Sequence, residues 1–555
     1  MPRVQRGIVV PAPLGQARDN VVVTPLQVGA PTPAAPASAA AAPYGPAVAA
    51  RFAEPSTQYS TPGLAPERRG FTTNSELGQW LHNIATAAPR GPTQASVLQL
   101  GASQQGEPIL GLLLTRAKGM DMASLEANGR STVVLIGQQH GDEPAGSEAL
   151  LVVARELAQG LLEPLLDRIN VVVIPRANPD GATNGNRTTA NGVDMNRDHL
   201  LLNTPEARAL ARVVRDYRPI LVLDAHEFTV AGRYLQKFNA IQRYDALLQY
   251  TTTANYHEFL TKASQEWYHQ PMLGALQSQG MSSEWYYTTS TQPDDKRISM
   301  GGVQPDTGRN VNGLKNAVSL LVETRGVGLG RLHIQRRVHT QVTTITSALR
   351  STAERAADLE QVRSYVARDT ASKACKGQVV IEAQATPMQR ELTMLDPDTG
   401  ADRTLKVDWN SSLALRPVKS RPRPCGYWLA AHATAAVERL QMLGVQVLRI
   451  AEPGALLADT YHETARETTE RTDVRGTIAG GSSIIRTQVT PVRSAIDVPA
   501  GSFYVPLNQG LAHLAVAALE PDTQSSYFAN RLIDELGSTA RVMTVPSLVF
   551  EESDE

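Results

Sequence analysis

The sequence predicts an α/β fold built around a largely buried sheet. Two observations carry this. From about residue 95 to 325, short apolar runs alternate with segments of helical spacing. Several of the runs, such as "STVVLIG" at 131–137, are apolar on almost every residue, as strands covered on both faces are.

The elements follow in chain order. Residues 24–50, "TPLQVGAPTPAAPASAAAAPYGPAVAA", are Pro/Ala-rich and nearly uncharged. Few large side chains are there to build a core, so residues 1–70 read as an extended or disordered tail. Order is expected to start in "FTTNSELGQWLHNI", 71–84, where Asn74 or Ser75 caps a helix carrying Leu77, Trp80 and Leu81 on one face. "ILGLLLTRA" and "STVVLIG" are strands. "PAGSEALLVVARELAQGLL" is a helix with Pro144 in its first turn, where a missing N–H costs nothing. "INVVVIPRANPDG" is a strand ending in a turn, and "TPEARALARVVRDYR" a helix capped by Thr204. "PILVLDAHEF" and "AVSLLVETRG" are short strands. Residues 346–369 form a polar-faced helix, a natural joint between two halves.

At 555 residues the chain exceeds what one core supports. The division expected is a tail (1–70), a catalytic domain (71–345), a linking helix (346–370), a smaller mixed α/β accessory domain (371–545) and an acidic tail (546–555).

Composition excludes several classes. Lys+Arg 53 against Asp+Glu 54 argues against nucleic acid or an anionic membrane as the main partner. No apolar run of about 18 residues exists, so no membrane-spanning helix is expected. The N-terminal stretch has basic residues but too short an apolar core for a secretory signal. The two cysteines, Cys375 and Cys425, are too few for a thiolate metal cluster. They either pair with each other or stay reduced.

The chemistry begins in "GQQHGDEPAGSEAL", 137–150. His140 and Glu143 stand three residues apart where a strand hands over to a helix. Residues so spaced can converge on one ion; alone they are equally a solvated helix start. Of the eleven histidines, His226 ends the apolar run "PILVLDAHEF". A buried strand delivers it to the sheet edge where α/β active sites collect. Two imidazoles and one carboxylate, with a fourth position open, make a catalytic zinc site. The loop "RANPDGATNGNRTTANGVDMNRDHL" is long enough to suggest function and carries Arg187, Asn196 and Arg197, whose donors suit a carboxylate or a developing oxyanion. Glu323 closes the run "AVSLLVE"; a carboxylate there needs a role or a partner such as Arg325.

His140-x-x-Glu143, "NPDG", "GVDMNR", the strand-borne His226 and "ETRG" occur in the order found in zinc metallocarboxypeptidases of the carboxypeptidase A/B type. The chain resembles that family over roughly residues 130 to 330. The resemblance implies a mixed, mostly parallel eight-stranded sheet between helices. It implies one zinc ion held by His140, Glu143 and His226, with Glu323 as general base and acid. It further implies Arg187 as oxyanion donor, Asn196 and Arg197 as the clamp on a terminal carboxylate, and Asp194 as the partner of the first zinc histidine. The substrate implied is a peptide with a free C-terminus, a cell-wall peptide being one case. A deacylase of N-acyl amino acids and an inactive peptide-binding relative are the alternatives.

One departure stands out. The family's Tyr about twenty residues before the catalytic Glu is missing from "DDKRISMGGVQPDTGRNVNG". Tyr286 and Tyr287 are the nearest candidates for the cap over the substrate. Arg297 and Arg309 are expected to wall the side-chain pocket. After Cys375 the sequence offers no trusted chemistry. The general size resembles long bacterial members of the family, which are usually exported, so a periplasmic or secreted location is expected despite the missing signal.

Overall fold

In the computed structural model, residues 42–87, 91–481 and 483–551 are described. Eight strands form the central sheet: β1 (Gln94–Ala102), β2 (Pro108–Thr115), β3 (Ser131–Gly137), β4 (Ile169–Ile174), β5 (Leu221–Thr229), β6 (Ala246–Tyr250), β7 (Ser283–Trp285) and β8 (Val318–Val327). Their order is β1-β2-β4-β3-β5-β8-β6-β7. β3 runs parallel to β4 and β5, β5 to β8, and β6 to β7; the other pairs are antiparallel. The sheet is therefore mixed, with a parallel centre.

Alternation along the central strands explains their unbroken apolar character. Val133 and Leu135 of β3 face the helices Asn74–Ala87, Pro144–Gln159 and Ile334–Ser372, whereas Val134 and Ile136 face Leu210, Val213 and Val214 of the helix Pro205–Tyr217. Both sides of the sheet are covered, as a parallel centre requires.

Local signals set the helix starts. Thr204 caps the helix Pro205–Tyr217 through its hydroxyl and the Ala207 N–H. The cap of the helix Asn74–Ala87 is Thr73, one residue before the expected Asn74 or Ser75. Glu76 N–H donates to Thr73 Oγ1 and Thr73 N–H to Glu76, a reciprocal capping box.

Order begins before residue 71. Within 42–70, Tyr44, Val48, Phe52 and Leu64 are buried. Tyr44, Val48 and Phe52 pack with Phe228, Tyr234, Ile241 and Trp409, so these few large side chains anchor a segment expected to be extended. The rest of the expected tail, 1–41, lies outside the described residues. At the other end Phe550 bridges to Ile450, and Leu548 and Phe550 pack on an apolar cluster; only 552–555 of the expected acidic tail lie outside the description.

The helix expected at 346–369 runs from Ile334 to Ser372, because its first turns are held under the sheet by Arg337 and Val338. Beyond it a long hairpin, Gln378–Leu395 with Asp402–Pro422, shares a five-stranded sheet with Ile241–Gln242, Ile298–Met300 and Tyr287–Thr289. A six-stranded antiparallel sheet follows, which includes the long hairpin Gly454–Thr469 with Ile484–Val498. Cys375 and Cys425 are joined by a disulfide. Among the described residues no helix is long and apolar enough to cross a membrane.

Candidate active site

Three adjacent strands deliver the site. β3 ends at Gly137 and the loop after it carries His140 and Glu143; β5 carries His226; β8 carries Glu323. In the parallel pairing of β5 and β8, His226 and Glu323 are direct register partners. Side-chain parity therefore places both on the same face of the sheet.

The loop after β3 is shaped by the "NPDG" turn. Asn178 caps the short helix Pro179–Asn184 through the Gly181 N–H, and its amide also donates to the Gln139 carbonyl. Gly141 lies so close that a Cβ there would fall 1.9 Å from the Gly181 carbonyl carbon. Glycine at 141 lets the two turns touch, which fixes where His140 points.

His140 Nδ1 lies 2.8 Å from Glu143 Oε1, and His226 Nδ1 lies 2.8 Å from Glu143 Oε2. The two Nδ1 atoms are 3.1 Å apart. Each ring's other nitrogen meets a carboxylate: His140 Nε2 is 3.1 Å from Asp194 Oδ1, and His226 Nε2 is 2.8 Å from Asp224 Oδ2. Burial works against charge on Glu143 and Asp194. Even so, His140 and His226 hold the Glu143 carboxyl well below the usual range, and Arg187 with His140 does the same for Asp194. Both Nδ1 atoms point at Glu143 and at each other, and both Nε2 atoms at a second carboxylate. A cation placed among the three would take the two Nδ1 lone pairs in place of protons, with each Nε2–H still donating to Asp194 or Asp224. The donor set of two imidazoles and one carboxylate fits zinc.

Glu323 is 8% exposed and forms no ion pair among the described residues. Arg325 does not serve it, since its Nη1 donates to the Gln242 and Tyr244 carbonyls and its guanidinium lies over Phe52. Burial, then the neighbouring Glu143 carboxylate, push Glu323 up to about 7. It faces a cavity of about 240 Å³ also lined by Glu143, Arg187, Tyr286 and Arg475.

Arg187 donates from Nε and Nη2 to Asp194 Oδ2 at 3.1 and 3.0 Å, leaving Nη1 aimed at His140 and Glu143. Tyr286 reaches the cavity, and burial with the nearby Glu323 pushes its hydroxyl up to about 12. Tyr287 is 1% exposed, packs in the cluster with Tyr234 and Trp409, and also lines the cavity beside Tyr286. Arg309 is buried, and its Nη2 donates to the Gly302 carbonyl; burial pushes it down to about 10. Exposed Arg297 pairs with Asp295 instead of walling a pocket.

Asn196 lies behind the metal donors. Its Nδ2 is 3.2 Å from His226 Nε2, and its Oδ1 accepts from the Gly308 N–H. The Arg197 fork is closed by Asp473, with Nε and Nη2 donating to its Oδ2 at 2.9 and 2.6 Å.

Three contributors were missed by sequence reasoning. Asp224 stands two residues before His226, hence on the same face of one strand, and that spacing was the available signal. Asp473 and Arg475 come from the tip of a hairpin more than two hundred residues further on, and no local pattern marks them.

Residues 77–301 match the family model described as zinc carboxypeptidase. Glu323 lies beyond that stretch. Carboxypeptidase 2 of Trichophyton rubrum is 27% identical over 399 residues, spanning 71% of this chain and 72% of that protein. Carboxypeptidase D of Mus musculus is 29% identical over 228 residues, 34% of this chain and 16% of that protein. Among solved structures, a metallo-carboxypeptidase from Burkholderia cenocepacia superposes with a TM-score of 0.37 at 16% identity, covering 50% of this chain and 69% of that one. The matched stretch is the one that folds into the converging metal donors, and it forms a zinc carboxypeptidase domain of the metallopeptidase type.

Proposed function

We propose that this protein removes the C-terminal residue of peptides by hydrolysis, with His140, Glu143 and His226 holding one zinc ion. The observation that carries the reading is the meeting of two carboxylate-oriented imidazoles and Glu143 beside a carboxyl group, Glu323, that has no ionic partner among the described residues. A zinc ion bound there would polarise the scissile carbonyl and lower the pKa of a water to ~7.

Glu323 is read as the proton carrier. It takes a proton from the attacking water and returns one to the leaving amine, and its raised pKa suits both steps at neutral pH. Arg187 is read as the oxyanion donor: Asp194 fixes two of its nitrogens, so the third is held toward the reacting carbonyl without reorganisation. Asp194 and Asp224 orient the two metal histidines through Nε2. Tyr286 is read as the aromatic side chain over the substrate, since it and Glu323 share the cavity. The Cys375–Cys425 disulfide supports a location in an oxidising compartment, in line with a periplasmic or secreted protein.

The test is a product profile. The zinc-loaded protein is incubated with a defined peptide mixture, and termini are read by mass spectrometry. Loss of single residues from the C-terminal end, stopped by a chelator and restored by zinc, is the expected result. Internal cleavage, or release of acyl groups with intact peptide bonds, would refute it.

A further inference from the structure

We propose that Arg475, on the tip of the long hairpin Gly454–Thr469/Ile484–Val498, binds the substrate's terminal carboxylate, a role the closed fork of Arg197 leaves open. The proposal rests on the reading of this site as a carboxypeptidase centre and goes further by naming the residue that recognises the free C-terminus.

Three of the five N–H donors of Arg197 are already engaged. Its Nε and Nη2 grip Asp473 Oδ2, and Nη1 donates to the Asn196 carbonyl at 2.7 Å. Both partners of the pair are largely buried, at 13% and 9% side-chain exposure. A substrate carboxylate taking this fork would leave Asp473 buried and unpaired, which costs far more than an exposed exchange would. Arg197 is also absent from the lining of the catalytic cavity.

Arg475 is the opposite case. It lines that cavity with Glu143, Arg187 and Glu323. Its guanidinium makes no hydrogen bond among the described residues, and the nearest carboxylate oxygen, Asp194 Oδ2, is 3.9 Å away. A partly buried guanidinium beside Arg187 is an arrangement that an incoming anion relieves.

The tip is built in as a wall. The Asp194 N–H donates to the Ala479 carbonyl, Arg471 bridges the Arg197 carbonyl and Asp306, and Thr291 donates to the Arg475 carbonyl. The Arg475 N–H in turn donates to Asp473 Oδ1, so the ion pair that closes Arg197 also sets the backbone of Arg475. Gly480, at φ +70°, lies so close to Gly192 that a Cβ would fall 2.2 Å from its carbonyl oxygen.

The experiment measures binding, with turnover removed. The zinc-loaded Glu323→Gln protein is titrated calorimetrically with a tripeptide and with its C-terminal amide. Glu323→Gln/Arg475→Gln should bind the free acid roughly 10- to 100-fold more weakly, the amide being unchanged. Arg475→Lys should recover part of the loss. Because the Arg475 guanidinium holds nothing in place, its variants should keep the parent's melting temperature, so weak binding would not reflect misfolding. Arg197→Gln should weaken acid and amide alike, through displacement of the tip. Unchanged acid binding in the Arg475→Gln protein, or loss of acid selectivity in Arg197→Gln alone, would overturn the proposal. If the peptidase reading were itself wrong, the zinc-loaded protein with Glu323 intact would release no C-terminal residue from the tripeptide, a result separable from either binding outcome.

Discussion

At the scale of single residues, Glu323 and the metal histidines differ in how their charge is set. Glu323 is a buried carboxyl without an ionic partner among the described residues, so burial governs it, whereas Glu143 is held ionised by two imidazoles. Replacing Glu323 by Gln keeps the shape and removes the proton carrier. Turnover should fall by roughly 10²–10⁴-fold or more with zinc content unchanged, as measured by kinetics and metal analysis on one sample. Retained activity would remove the assignment. Asp224→Asn tests the orienting carboxylate: zinc affinity should drop ~10–100-fold by competition with a chelator, since His226 loses the acceptor that fixes its tautomer. An unaltered affinity would mean that β5 alone aims the ring.

At the scale of elements, the site depends on contacts behind it. The helix Ile334–Ser372 grips β5 from the face opposite the metal donors. Arg337 donates from Nε and Nη2 to the two Glu227 oxygens at 2.8 and 2.9 Å, both residues being buried, and Gln341 donates to the His226 carbonyl. Arg337→Met would strand the Glu227 charge and should cost about 3–5 kcal/mol of stability in denaturant unfolding. Glu227→Gln with Arg337→Met should recover much of it, because the uncompensated charge is then gone. Gly141→Ala probes the contact between the metal loop and the "NPDG" turn. The added methyl has backbone on its far side, so the loop must move, and zinc affinity and turnover should fall together while the fold persists. Separate effects on the two readouts would show that the turn does not set ligand position.

At the scale of the whole molecule, two terms bear on stability. The disulfide closes a loop with a sequence separation of 50 between Cys375, just past the helix Ile334–Ser372, and Cys425, just before the strand Gly426–Leu429. Chain entropy assigns such a closure about 2–4 kcal/mol, so a Cys375→Ser/Cys425→Ser protein should unfold at correspondingly lower denaturant. Buried histidines add a pH dependence. Burial depresses His199 and His269 to about 4 and His513 to about 3. Their pKa values in the unfolded chain are near 6.5, so between about pH 6.5 and 4 the unfolded state binds more protons. Stability is then full above about 6.5 and falls as pH drops toward 4. Substituting His513 and His269 by Gln should flatten the slope of unfolding free energy against pH in that window. An unchanged slope would assign the acid sensitivity to other groups.

Much of this protein was legible in its sequence, because the signals are local. Uninterrupted apolar runs announce strands buried on both faces, and the helix of Pro205–Tyr217 declares its cap at Thr204. His140, Glu143, His226 and Glu323 could be picked out because each stands where an apolar run ends, and such ends meet at one edge of a parallel sheet. Tertiary structure alone decided the rest. That Tyr44, Val48 and Phe52 find a core, that Cys375 meets Cys425, that Asp473 closes Arg197 and that Arg475 enters the cavity all depend on segments distant in the chain. The physical reason is that periodicity and capping are imposed by neighbours a few residues away. Which distant side chain neutralises a buried charge is imposed only once the chain has folded around it.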